Sequence, residues 1–290
     1  MTALAVTARA KINLGLEILG RRPDGFHSLV TILQEIDLAD RIVLDDAPDF
    51  SLTSNHDGLG PDSENLVWRA VQALREATGI TRGARVHLDK RIPVAAGLGG
   101  GSSDAAATLL GLNRLWNLGL GADVLMALAR GIGTDVAFFV RGGTQLATGL
   151  GDDLESLPSP RIFVVVVPLE SPYPDKTRRL YAALRATDWS DGRAVQAIAE
   201  ALRRGESLDG RNVPNSFDRV AKELNPSLCG TCELVRRAGG TPFLSGAGPT
   251  VISVHRSERE ARSVAAGIAA SGQTAIVART IERSGQPAEP

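Results

Sequence analysis

Cysteine is nearly missing from this chain: Cys229 and Cys232 are the two in 290 residues. Their C-x-x-C spacing is that of a redox pair or half a zinc site. No second pair exists, and the histidines His27, His56, His87 and His255 are scattered. Two small buried thiols in a reducing compartment are the better account, on an amphipathic helix that puts Leu228, Cys232 and Val235 on one face. Net charge is nearly missing too, at -1, so no global field favours nucleic acid or a membrane surface. There is no long apolar run. None exceeds six residues, and Ile162 to Val167, which is that long, reads as a buried strand far too short to span a bilayer. Met1 to Leu16 carries Arg9 and Lys11 without a continuous apolar core, so no secretory signal is expected. Repeats and low-complexity tracts are also lacking. The expectation is a cytoplasmic protein, monomer or homodimer, without nucleic-acid or membrane partners.

What remains is 43% hydrophobic and 22% charged, a normal soluble globular composition with length for one large domain or two ordinary ones. Ile12, Leu14, Leu16 and Ile18 alternate with Asn13, Gly15 and Glu17, the period of a half-buried strand. Lys11 and Asn13 therefore share the face opposite the apolar side chains. Arg22-Pro23-Asp24-Gly25 reads as a turn, Leu29 to Ile36 and Arg41 to Leu44 as two further strands, and Glu64 to Ala77 as a helix. Val86 and Leu88 suggest a strand leading through Pro93 into a glycine-rich loop. Helices are expected over Asp104–Asn117, Ala122–Arg130, Thr177–Leu184 and Ala194–Arg204. Prolines and acids cluster between Asp152 and Pro160, where a domain boundary is expected: 1–155 and 156–290. Beyond it, Phe243 to Val254 reads as strand, tight turn, strand. Ser257-Glu258-Arg259-Glu260 is a capping box, Ala275 to Ala278 a last strand, and Ser284 to Pro290 a frayed tail. Strands and helices mix without strict βαβ alternation, so the class is α+β.

The most informative stretch is Pro93-Val94-Ala95-Ala96-Gly97-Leu98-Gly99-Gly100-Gly101-Ser102-Ser103, followed by Asp104 and an alanine-rich helix. A loop stripped of side chains lets backbone N–H groups approach a ligand closely. The helix after it adds unpaired N–H groups and the positive end of its dipole. Together they make an anion site, most naturally one for phosphates. No Gly-Lys-Ser/Thr follows, so the loop is not a Walker A motif, and serine at position 102 breaks the Rossmann fingerprint. Neither His-Arg-Asp nor Asp-Phe-Gly occurs, which excludes a protein kinase.

Pro93-x-x-x-Gly97-Leu98-Gly99-x-Gly101-Ser102-Ser103 resembles the phosphate-binding motif of the GHMP kinases, the galactokinase, homoserine, mevalonate and phosphomevalonate kinase superfamily. Ser245-Gly246-Ala247-Gly248-Pro249 is similar to its C-terminal glycine motif, and Ala10-Lys11-Ile12-Asn13-Leu14 to its first. The three span nearly the whole chain in the right order. The resemblance is closer to the branch that phosphorylates a cytidine diphosphate-linked methylerythritol in the non-mevalonate isoprenoid pathway. It rests there on Lys11 to Leu14, Arg22 to His27, Asp89 to Pro93, Ser103 to Ala106 and Gly133 to Val136. Phe26, Thr134, Ala137 and Ala247 depart from the commonest residues of that branch. Phe26 loses a phenolic hydroxyl but keeps a ring that stacks.

The resemblance implies a two-domain fold, an N-terminal ribosomal-protein-S5-like α/β domain and a C-terminal ferredoxin-like α+β domain, with the site between them. It implies ATP, accompanied by Mg²⁺, which keeps several waters and few protein ligands; Ser102 or Ser103 is a candidate contact and no protein ligand is assigned. It gives the base to Asp135, a positioned carboxylate that accepts a proton late in the transfer. Lys11 is the partner that orients it and favours negative charge at the acceptor oxygen. The plainer reading of Asp135 is a helix N-cap before Val136-Ala137-Phe138-Phe139. Phe26 stacks on the cytosine, His27 hydrogen-bonds it, and Tyr181 closes the sandwich; ordinary packing is the alternative for both rings. Asn13 is expected on the substrate diol or diphosphate. Asn65 is expected on adenine, or as a helix-start residue only. Two rival functions stay open: a GHMP kinase for another alcohol such as mevalonate or homoserine, and a nucleotide-binding regulator without catalysis.

Overall fold

The computed structural model describes residues 3–57, 59 and 65–282. Glu64, the first residue of the helix expected at 64–77, and the tail Ser284 to Pro290 lie outside the described residues. Two long strands, β1 (Leu4–Arg21) and β2 (His27–Ala47), pair antiparallel. The turn between them is closed by the Arg22 N–H donating to the Phe26 carbonyl at 2.7 Å. Gly25 sits in it at φ +88°, a conformation that favours glycine. The two strands expected at 29–36 and 41–44 are thus one, because a register shift between Arg9 and Lys11 absorbs the polar interval.

The first sheet has the order β3-β4-β2-β5-β6, with β1 beside β2. Its other strands are β3 (Ser51–Ser54), β4 (Gly83–Asp89), β5 (Thr144–Thr148) and β6 (Asp153–Leu157). Helices α1 (Leu66–Thr78), α2 (Gly100–Leu115), α3 (Ala122–Ile132) and α4 (Thr134–Arg141) pack on it. Ile42, Leu44, Leu74, Val86, Leu109 and Phe138 form the core between them. The second sheet is β10-β7-β9-β8, from β7 (Phe163–Val167), β8 (Phe243–Leu244), β9 (Val251–His255) and β10 (Ile276–Arg279). With it go α5 (Lys176–Ala183), α7 (Asp218–Leu224), α8 (Ser227–Arg237) and α9 (Glu258–Ala269), whereas α6 (Arg193–Arg203) packs on β1 and β2 of the first sheet. The Ser257 hydroxyl caps α9 by accepting from the Glu260 N–H at 3.3 Å. On α8 Cys232 is buried as expected, but Cys229 is exposed, one position past the apolar face.

A shared core joins the sheets, with Ile12, Leu14 and Ile32 packing with Val164, Val166 and Ile252. This corrects the half-buried reading of β1, whose residues from Ala10 to Ile18 are buried without interruption. Its polar face is covered by the second half of the chain. Glu17 accepts from the Val195 N–H at 2.7 Å, and Leu16 donates its N–H to Pro214. The expected boundary after residue 155 falls inside β6, whose pairing with β5 continues to Leu157. We propose that the division lies in 158–162, between the two sheets.

Candidate active site

Helix α2 begins at Gly100, not Asp104, so the last part of the glycine run is its first turn. Gly99 precedes it in the left-handed conformation, φ +73°, and Ser103 N–H donates to the Gly99 carbonyl. The N–H groups just before Ser103 have no partner in the helical ladder. They border a cavity of about 500 Å³ walled by Pro93 to Ser102, by Asn65 to Val67 on α1, and by Leu88 and Lys90. Every residue expected to bind nucleotide lines this cavity except Ser103, which is buried inside α2. Asn65 also caps α1, its side chain accepting from the Val67 N–H at 2.9 Å.

A buried charge cluster braces the loop, and sequence reasoning gave it no role. Lys90 donates to Asp40 at 2.5 Å and to Asp104 at 2.6 Å. Asp40 in turn accepts from the backbone N–H groups of Arg91 and Ile92. One ammonium therefore ties the residues before the glycine loop to the helix after it. Burial works against the Lys90 charge, but Asp104 and Asp40 more than offset it and its pKa is raised. Asp104 is pushed up to about 7 by burial, which the Lys90 charge only partly offsets. Its second oxygen, Oδ1, has no partner among the described residues.

Register shifts on either side of Lys11 and Asn13 in β1 mark local irregularities of the strand, a device that re-aims side chains beside functional sites. Lys11 is buried and donates to Asn13 Oδ1 at 2.9 Å. It lies 3.9 Å from Asp135 Oδ2. Asp135 stands in the first turn of α4, whose N-cap is Gly133, so the N-cap reading of Asp135 does not hold. Its carboxylate is 40% exposed, open to a ligand. The second glycine turn closes over this pair. Asn13 N–H donates to Ser245 Oγ at 3.2 Å, and a side chain on Gly246 would meet Asn13 Oδ1 at 2.7 Å. The two turns also interlock. Thr250 donates to the Ala96 carbonyl at 2.7 Å, and a methyl on Gly97 would lie 2.5 Å from the Gly248 carbonyl oxygen. Lys176, absent from the expected set, reaches the same joint by donating to Gly248.

Tyr181 packs against His27, ring centroids 5.1 Å apart, and edge-on against Phe217 at 5.0 Å. Burial, then the Asp135 charge, raises the Tyr181 pKa, which places the ring near the Lys11–Asp135 pair. Burial, then the Arg21 charge, lowers that of His27. Phe26 is 63% exposed, with no ring against it among the described residues. The structure thus brings Lys11, Asn13, Asp135, His27 and Tyr181 to one side, and leaves Phe26 on the hairpin tip.

Comparison with known proteins agrees with this arrangement. Residues 65–143 match the GHMP kinases N terminal domain family. The 4-diphosphocytidyl-2-C-methyl-D-erythritol kinase of Pelotomaculum thermopropionicum is 39% identical over 282 residues, covering 96% of this chain and 98% of that protein. A crystal structure of 4-(cytidine 5'-diphospho)-2C-methyl-D-erythritol kinase superposes with TM-score 0.82 at 36% identity, covering 96% of this chain and 99% of the other. The homoserine kinase of Cytophaga hutchinsonii shares the fold, with TM-score 0.76 at 20% identity over 98% and 96% of the chains. The two glycine-rich turns, the Lys11–Asp135 pair and the full-length similarity converge: this chain belongs to the 4-diphosphocytidyl-2-C-methyl-D-erythritol kinase family of GHMP kinases.

Proposed function

We propose that the protein transfers the γ-phosphoryl group of ATP to the 2-hydroxyl of 4-diphosphocytidyl-2-C-methyl-D-erythritol, giving ADP and the 2-phosphate. The observation that carries this reading is the Lys11–Asp135 pair, 3.9 Å apart, set against the joint of two glycine-rich turns. Backbone N–H groups of the first turn and of α2 hold the phosphates, and the cavity beside Asn65 takes the adenosine. The acceptor lies on the other side, its cytosine between Phe26 and Tyr181 with His27 as hydrogen-bond partner, and Asn13 on the diol or diphosphate.

Phosphoryl transfer passes through a loose transition state, so placement and charge stabilisation dominate. As the acceptor oxygen bonds to phosphorus and the bond from phosphorus to ADP breaks, an Asp135 oxygen takes the hydroxyl proton. Lys11 orients that carboxylate and stabilises negative charge on the acceptor oxygen. Among the described residues no group of three or more acidic, His or Cys side chains is poised to hold a metal. The donor set instead suits a cation that arrives on the phosphates, with the Ser102 hydroxyl as its protein contact. Bound Mg²⁺ would supply charge neutralisation at the β- and γ-oxygens. We place the enzyme in the cytoplasm as a monomer or homodimer; among the described residues no helix is long and apolar enough to cross a membrane.

Release of ADP in a panel of alcohols tests the reading. Turnover is expected with the cytidylyl alcohol and only background with mevalonate and homoserine. Turnover with either of those, or none that depends on an acceptor, would overturn it.

A further inference from the structure

Lys176 stands at the joint of the two glycine turns without a role in the steps above. Its ammonium donates to the Gly248 carbonyl and lies 3.7 Å from where a side chain on Gly97 would begin. Lys11 lies the same 3.7 Å from the corresponding point on Gly246. Each ammonium thus faces one turn where glycine leaves room for it. Lys11 has Asp135 nearby, whereas among the described residues no carboxylate pairs with Lys176. The adjacent Asp175 is taken by Arg178 and Arg179. A half-buried ammonium without a counter-ion is costly, and the carbonyl uses one of its three donors.

We infer that Lys176 is a phosphate-binding residue that holds the transferred phosphoryl group of ATP between the two glycine turns. Gly97 belongs to the nucleotide loop, so the anion nearest Lys176 is the distal end of the triphosphate. Lys11 and Asp135 approach the same point from the acceptor side. The transition state spreads negative charge over the equatorial oxygens of that group, where two ammonium groups flanking it act most strongly. The inference rests on the kinase reading above.

Burial, then the Lys11 charge, lowers the Lys176 pKa to about 8. The charge acting on it is Lys11 of β1; Tyr173 lines the same small pocket, the neighbouring Asp175 is held by Arg178 and Arg179, and the second turn meets it with the Gly248 carbonyl. A bound phosphoryl group supplies the missing counter-charge and returns the pKa toward its ordinary value, so the protein takes up about half a proton per site at pH 8.

Calorimetric titration of the full-length protein with magnesium–ATP, without acceptor, in two pH 8 buffers of different ionisation heat measures that uptake. About half a proton is expected with ATP and none with ADP. With ATP, neither Lys176→Arg nor Lys176→Met is expected to take up any. In turnover, Lys176→Met should lose about 100-fold in kcat with the acceptor KM within about twofold, and Lys176→Arg should recover part of the loss. Equal uptake with ADP, uptake that survives in either variant, or a Lys176→Met kcat within about threefold of wild type overturns the assignment. If Lys176→Met does not fold, the wild-type ATP and ADP titrations and Lys176→Arg decide. No acceptor enters the titrations, so a failed acceptor panel leaves them meaningful.

Discussion

The cavity behind the glycine loop takes most of its wall from 88–104 and the start of α1. The side that holds Lys11 takes its side chains from β1, β2, α4, α5 and the turn before β9. The first region is built from backbone within a short span of chain. Its conformation follows from local sequence, chiefly glycines in left-handed geometry and a helix start. The second is built from charged and aromatic side chains that meet only when the two sheets dock. A phosphate is recognised by any array of N–H groups, so the backbone region suits what ATP-using relatives share. Proton transfer and base recognition need particular atoms at particular distances, which side chains supply. On the proposed function, general nucleotide binding and specific chemistry occupy opposite sides of one joint, and substitutions should separate them.

The largest effect is expected at Asp135. Asp135→Asn keeps shape and removes the proton acceptor, so kcat should fall by about 10³- to 10⁴-fold, with ATP and acceptor affinities near wild type by calorimetry. Loss of ATP affinity as well would show that the two sides are not separable. Gly101→Val comes next. Among the described residues outside the helix's own backbone, the nearest atom to a Cβ begun there is Leu66 Cδ1 at 4.0 Å, so the fold should hold while the new group intrudes on the cavity. Loss of about 1–3 kcal/mol of packing corresponds to roughly 10- to 100-fold weaker ATP binding. His27→Ala should weaken acceptor binding by about tenfold, the worth of one lost hydrogen bond, and leave ATP binding unchanged; equal losses for both ligands would remove the assignment.

The smallest effect is on stability. The Asp104 pKa of about 7 lies above its ordinary 3.8. Between those pH values the folded protein holds a proton that the unfolded chain does not. The Asp104 contribution to stability should therefore fall as pH rises from about 4 to about 7. Relative to Asp104→Asn, which lacks the group, wild-type stability should fall measurably across that range. His27 and His255, both depressed by burial, titrate in both proteins and cancel in the difference. A flat difference in denaturant midpoints across that range would contradict the raised Asp104 pKa.

The same contrast decides what the sequence could reveal. The glycine loop, the turn at Arg22 to Gly25 and the apolar alternation of β1 are local signals and survive in the fold. The brace around Lys90 is not local: Asp40 lies 50 residues away, and no spacing rule links them. Lys176 looked like an ordinary residue at a helix start, because its meaning depends on Gly97 and Gly248. The 29–36 and 41–44 segments looked like two strands because an irregularity in β2, at 35–39, hides in the interval between them. Sheet-to-sheet docking is equally invisible in β1, where the polar alternation suggests solvent and the second half of the chain supplies the cover. Tyr181 packs on His27 of β2 and on Phe217 at the start of α7, contacts across the chain that no local spacing could reveal.

Separability of the two sides is tested most directly by titrating Gly101→Val with the cytidylyl alcohol in the absence of nucleotide. Wild-type acceptor affinity is expected, alongside the weakened ATP binding of the same preparation. Acceptor binding that falls as far as ATP binding would contradict a site divided at the joint of the glycine turns.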